Sequence, residues 1–287
     1  MMLQLLVNGV VTGLLLALPA LALSLTFSVL RFANYAIGSY LTCGAYLVYV
    51  GNVVLGMPLW LAAGAGAILF AALAVIIDWL AFRPLRDRSG VTLLVASMGV
   101  AIALENVIRF FAGNSPRAYD VPVARPIRFG DIRLNHEQLT ILMTVIAALA
   151  IVWIVFRFTR LGRMMRAVAD NPDLAAVRGI ARSRVVACVW LISGALVALS
   201  GVLVGLDANV EPQMGWTYLL PVFTAAILGG IANPMAAVAG ALTLGIAEEL
   251  ATLLMPVHYR MIVTFLVMVA LLLLRPWGLF GTRWVTK

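Results

Sequence analysis

Apolar runs long enough to cross a membrane dominate the chain. They lie at about 5–30, 37–56, 58–82, 91–112, 138–157, 185–206 and 258–274. Each is close to the roughly 20 residues that carry a helix through a hydrocarbon core. A longer apolar region, 217–255, is interrupted by Gly229-Gly230 and Asn233-Pro234, pairs that break helices. It is too long for one span and divides into a half-span or re-entrant segment, about 218–231, and a full span, about 235–255. The pattern predicts an all-α polytopic membrane protein of about eight transmembrane helices plus that short segment, in one transmembrane domain covering 1–287.

Composition narrows the function. Hydrophobic residues make up 63% and charged residues 11%, against about 45–50% and about 25% in soluble proteins. A soluble enzyme or binding module is excluded. The 20 Lys+Arg include one lysine, Lys287. A P-loop requires a Gly-Lys-Ser/Thr step whose lysine reaches the phosphates, so these residues contain none. Cys43 and Cys188 lie in apolar stretches and supply neither a disulfide framework nor a metal cluster. No catalytic, cofactor-binding or metal-binding residue is expected. The paired Glu248-Glu249 has Leu253 where a glutamate-type membrane protease needs Arg, and His136-Glu137 has Thr140 where a zinc motif needs a second histidine. Ser193-Gly194 and Ser200-Gly201 lack the preceding Gly of a serine-type site. A secondary transporter or a channel, which needs no ATPase partner, is one class that fits this composition. The N-terminal run has no basic region before it and reads as a retained first span.

Arginines orient the bundle and account for the net charge of +8 without nucleic acid. Loop 83–90 carries Arg83, Arg86 and Arg88. Segment 157–184 carries Arg157, Arg160, Arg163, Arg166, Arg178, Arg182 and Arg184. The C-terminus carries Arg275, Arg283 and Lys287, and loop 113–137 carries Arg117, Arg125, Arg128 and Arg133. The positive-inside rule puts the first three in the cytoplasm and 113–137 outside. The N-terminus is then outside, and the C-terminus is cytoplasmic if an odd number of crossings follows loop 207–217.

The cytoplasmic segment at about 158–184 carries the clearest local design. A first helix, about 161–169, interleaves Arg163 and Arg166 with Leu161, Met164, Met165 and Val168. A second has Asn171 as N-cap, Pro172 at its first position, Asp173 in its first turn, Ala175 and Ala176 in its body and Gly179 just past its end. Two uses fit this pattern: docking into a groove on a partner, or lying on anionic lipid.

Five stretches in order resemble permeases of branched-chain amino acid ABC importers, closest to the first of the two paired permeases. They are Arg160 to Ile180; Arg31-Phe-Ala-Asn-Tyr-Ala-Ile-Gly38 followed by Gly44-Ala-Tyr46; Thr92 to Gly99; Ala226-Ile-Leu-Gly-Gly-Ile231 with Gly240; and Arg275-Pro-Trp-Gly-Leu-Phe-Gly281. The resemblance implies an ABC importer permease fold in a bacterial inner membrane, forming half of a pathway for branched-chain or related small amino acids. Relatives also carry urea, short amides and small carboxylic acids. The implied partners are a second homologous permease, two ABC ATPase subunits and an extracytoplasmic binding protein. The resemblance assigns ATPase coupling to Arg163, Arg166, Asn171, Pro172, Ala175, Ala176 and Gly179. Asn34, Tyr35, Gly38, Gly229, Gly230 and Glu248 become candidates for lining the pathway. The family usually has histidine at the position of Ile37, so any role of that polar group is absent here.

Polar residues within spans are costly to bury. Glu105 and Arg109 stand four apart on one helix face and can pair. Asp78 lies within reach of Arg83 or Arg86, and Asn8 and Thr12 share a face suited to helix–helix hydrogen bonding.

Overall fold

A computed structural model describes residues 2–122, 127–129, 132–256, 259–275 and 277–280. Arg125, His258, Pro276, Gly281, Arg283 and Lys287 lie outside the described residues. The helices are α1 (Met2–Leu30), α2 (Ile37–Tyr49), α3 (Leu59–Ile77), α4 (Gly90–Ala112), α5 (His136–Phe158), α6 (Arg160–Asp170), α7 (Pro172–Val177), α8 (Arg182–Asp207), α9 (Met214–Gly229), α10 (Pro234–Ala251) and α11 (Arg260–Leu274). π-turns extend α2 over Val50–Val54 and α3 over Asp78–Phe82.

Among the described residues, seven helices, counting the π-turns with α2 and α3, are long and apolar enough to cross a membrane. α9 has 16 residues and α11 has 15. At 1.5 Å per residue these are about 24 and 22 Å long, short of a core of about 30 Å. The loop between α4 and α5 holds a feature the apolar pattern did not suggest: an antiparallel hairpin of β1 (Ile127–Phe129) and β2 (Ile132–Leu134).

α1 is the central helix. Residues 13–26 are buried without interruption, with α10, α8, α9 and α5 packed around them. Because α1 is hydrophobic all round it has no solvent or lipid face to select. Gly9 and Gly13 admit α10: a Cβ on Gly13 would lie 2.8 Å from Leu242 Cα, and one on Gly9 2.8 Å from Ile246 Cα. Small residues of this kind let spans approach where water cannot drive association. α3, α4 and α5 form the outer layer and expose large apolar side chains such as Ile68, Phe110 and Ile151.

The two ends of the bundle are defined by contacts distant in sequence. At one end Gln4 hydrogen-bonds Arg133, and Asn8 donates to Glu249. At the other, Leu25 and Ser28 of α1, Arg157 of α5, Arg166 and Asp170 of α6, and Asn233 before α10 line one cavity of about 410 Å³. We call this the arginine-rich face. The described tail joins it: Leu279 N donates to Leu228 O at 2.8 Å and Phe280 N to Gly229 O at 3.1 Å.

α9 ends at the arginine-rich face, because Ala232, Asn233 and Pro234, just past its end, line the same cavity. It starts deep in the bundle, where Gly215 N donates to Thr42 Oγ1 at 3.0 Å. The half-span of the sequence pattern is this short helix, which runs from inside the bundle to that face. After residue 207 the chain makes the two short helices α9 and α11 with the longer α10 between them.

Candidate functional site: the α6–α7 segment and the polar residues of the bundle

Between α5 and α8 the chain leaves the bundle and makes two short helices. Thr159 makes the first turn: its hydroxyl donates to Val155 O at 2.6 Å and accepts from Gly162 N at 3.2 Å. α6 folds back so tightly that a Cβ on Gly162 would overlap the carbonyl of Phe156. Glycine is the residue this approach allows. Met165 and Val168 are buried, whereas Arg163 and Arg166 are exposed. Arg166 reaches back to Phe156 O.

α7 follows the punctuation in the sequence. Asn171 Oδ1 accepts from Asp173 N at 3.1 Å and from Leu174 N at 3.0 Å, a cap worth about 1 kcal/mol. Pro172 occupies the first turn, and Gly179 closes the helix with φ +80°. The two alanines separate. Ala175 is 4% exposed and faces the protein, while Ala176 faces out. The outward apolar residues are Leu174, 59% exposed, and Val177, 83% exposed. These two were not singled out by the sequence pattern. Only the orientation of α7 distinguishes them from Ala175.

Arg31 is another residue that sequence reasoning passed over. It ends α1 in the left-handed region, φ +59°, the one non-glycine residue there among those described. Its amide donates to Phe27 O at 2.9 Å, and its guanidinium donates to Ala169 O in the last turn of α6 at 2.6 Å. After it, residues 32–36 enter the bundle without helical structure. Asn34 is fully buried; its Oδ1 accepts from Ala36 N at 3.1 Å, and its Nδ2 has no partner. Tyr35 N donates to Ser97 Oγ of α4 at 3.0 Å, and the Tyr35 ring packs on Phe223 of α9, 5.0 Å between centroids.

The remaining candidates are scattered. Gly38 packs against Gly215, and Gly229 against Ala236, each where a Cβ would overlap backbone. Gly230 turns the chain towards α10 with φ +122°. Glu248 is 3% exposed and accepts from the Thr264 hydroxyl. Glu249 pairs with Arg260 and accepts from Asn8 Nδ2 at 3.3 Å. Glu105 pairs with Arg109 at 2.6 Å, and its second oxygen accepts from Trp216 Nε1 of α9. The sequence spacing shows the first partner; the second is 111 residues away. Asp78 pairs with Arg86. Thus Asn34, Tyr35 and Gly38 come together at the α2 entry, near the start of α9. Gly229 and Gly230 lie at its far end, and Glu248 at the opposite face. Among the described residues no cluster of His, Cys, Asp or Glu could hold a metal ion.

Comparison with known proteins fits this architecture. The chain is 30% identical to the high-affinity branched-chain amino acid transport system permease protein LivH of Escherichia coli strain K12, covering 99% of this chain and 97% of that one. It is 29% identical, with the same coverage, to the corresponding permease protein BraD of Pseudomonas aeruginosa. The fold resembles a chain of the solved structure of PsaBC from Streptococcus pneumoniae in complex with Fab, with a TM-score of 0.52 and 12% identity over 94% of this chain and 91% of that one. Residues 5–272 match the family described as the permease component of the branched-chain amino acid transport system, and the chain belongs to that family.

Proposed function

We propose that this chain forms half of the translocation pathway of a binding-protein-dependent ABC importer for branched-chain amino acids. A second, related permease completes the pathway, two ATPase subunits drive it, and an extracytoplasmic protein delivers the substrate. The observation that carries the reading is the full-length similarity to branched-chain amino acid permeases. α6–α7 supports it: a capped segment outside the bundle that presents Leu174 and Val177 beside arginines.

In this reading the arginine-rich face is cytoplasmic and the N-terminal end of α1 is extracytoplasmic, in a bacterial inner membrane. α7 docks in an ATPase groove through Leu174, Ala176 and Val177. Asn171, Pro172 and Gly179 define the helix, Arg163 and Arg166 flank it, and Ala175 seats it on the bundle. Closure of the ATPases selects one cytoplasmic arrangement and the docked binding protein one membrane arrangement, which gives alternating access. The bundle side of the pathway runs past the α2 entry, where Asn34, Tyr35 and Gly38 meet α9. Hydrolysis resides in the partners, since the chain lacks a P-loop lysine.

The test is reconstitution of the chain with its companion permease, ATPases and binding protein in vesicles. ATP-dependent leucine uptake that requires every component is expected. Uptake by the chain without ATPases, or ATP turnover by the isolated chain, would overturn the proposal.

A further inference from the structure

We infer that Arg31 is the positioning residue through which displacement of α6–α7 reaches the non-helical entry of α2. This rests on the proposal that α6–α7 is the ATPase-coupling segment.

Arg31 stands where helices usually end in glycine, because the left-handed conformation places Cβ close to backbone. An arginine there is conformationally disfavoured, which turns attention to what its side chain holds. The guanidinium crosses to α6 and donates to Ala169 O at 2.6 Å. That carbonyl is in the last turn of α6, where backbone acceptors have no intrahelical partner and a cation is favoured. The link joins positions 138 residues apart.

The backbone of Arg31 leads from α1 towards α4 and α8. Its carbonyl lies next to Gly90 at the start of α4, with room for no more than an ordinary van der Waals contact between them. Phe32, the next residue, packs on Phe82 at 5.4 Å, and Phe82 stacks on Trp190 of α8 at 5.2 Å. Two residues further on is Asn34, with its unpartnered buried Nδ2, and then Tyr35, bonded to Ser97 and packed on Phe223. A shift of the C-terminal end of α6 thus pulls on the first residue of a short, non-helical stretch that touches both α4 and α9. Such a stretch changes conformation without breaking a helical ladder, as a hinge must.

The experiment compares Arg31→Gly, Arg31→Met and Arg31→Lys in the reconstituted complex. Glycine removes the link and suits the backbone. Methionine removes the link but keeps a long side chain, and lysine keeps a cationic donor. The readouts are co-purification of the ATPases, stimulation of ATP hydrolysis by loaded binding protein, and leucine moved per ATP hydrolysed. Expected for Gly and Met is an intact complex whose leucine-to-ATP ratio falls at least tenfold and whose stimulation is lost, with lysine restoring much of both. A wild-type ratio in either variant would overturn the inference. So would loss of assembly in all three, which would mark Arg31 as purely structural. If Gly alone fails to fold, Met against Lys decides. Failure of the underlying reading is seen separately, when charges at Leu174 and Val177 leave the ATPases bound and transport normal.

Discussion

Gly38 and Gly215 meet backbone to backbone where α2 crosses the start of α9: a Cβ on either would overlap the carbonyl of the other. Gly215 N also donates to Thr42 Oγ1, one turn along α2. Two non-helical entries, 31–36 and 208–213, end at this one point. The obstacle is backbone on both sides, so it cannot rotate away as a side chain would. Gly215→Ala is expected to destabilise the protein by about 1–3 kcal/mol through overpacking. Thermal unfolding of the detergent-solubilised chain measures it, and an unchanged midpoint would show that the helices separate at no cost.

The two faces of α7 should respond differently to charge. Leu174→Glu with Val177→Glu alters exposed positions and should leave folding intact. It should weaken ATPase association more than tenfold, because an unpaired charge in a dry interface costs several kcal/mol. Ala175→Glu instead buries a charge within the chain itself and should lower the thermal midpoint before any partner is added. Loss of Arg163 and Arg166 having a larger effect than the Leu174/Val177 pair would favour the lipid-surface role for this segment.

Orientation is testable with single cysteines at two exposed arginines. Arg163→Cys should be modified by an impermeant thiol reagent only from the cytoplasmic side, and Arg133→Cys only from outside. The converse pattern would invert the topology and remove α7 from the reach of any ATPase.

Glu249 joins three helices, accepting from Asn8 of α1 and pairing with Arg260 of α11. Glu249→Ala leaves Arg260 without that partner. The Arg260 side chain is 31% exposed, so solvent offsets part of the loss and about 1–3 kcal/mol is expected, below the range for fully buried pairs. Adding Arg260→Met should recover much of it, since removing both charges removes the unpaired one. A double variant no more stable than Glu249→Ala, by denaturant or heat, would show that the pair is not what holds α11.

The spans, the break at Gly229-Pro234 and the caps of α7 were legible in the sequence because each rests on local causes. Residues within a few positions of one another set hydrophobic runs, helix starts and helix stops. Asn171 caps α7 by reaching only three residues ahead, and Glu105 meets Arg109 one turn away. The reading of 218–231 as a half-span was local too, and the short length of α9 agrees with it.

What needed the tertiary structure is everything set by which surface meets which. The spacing of Ala175 and Ala176 cannot say which one faces the bundle; the seating of α7 decides that. Nothing near Arg31 in the sequence indicates that its guanidinium ends on Ala169, or that Trp216 completes the partners of Glu105. That α9 ends at the arginine-rich face follows from Ala232, Asn233 and Pro234, just beyond it, lining one cavity with Arg157 and Arg166. Class and helices were legible without coordinates, because hydropathy and capping act over a turn or two. The paths of α2 and α9 into the bundle, and the side chains that tie them to α6 and α4, were decided by packing between helices, where backbone contact between glycines and single long-range hydrogen bonds set the geometry.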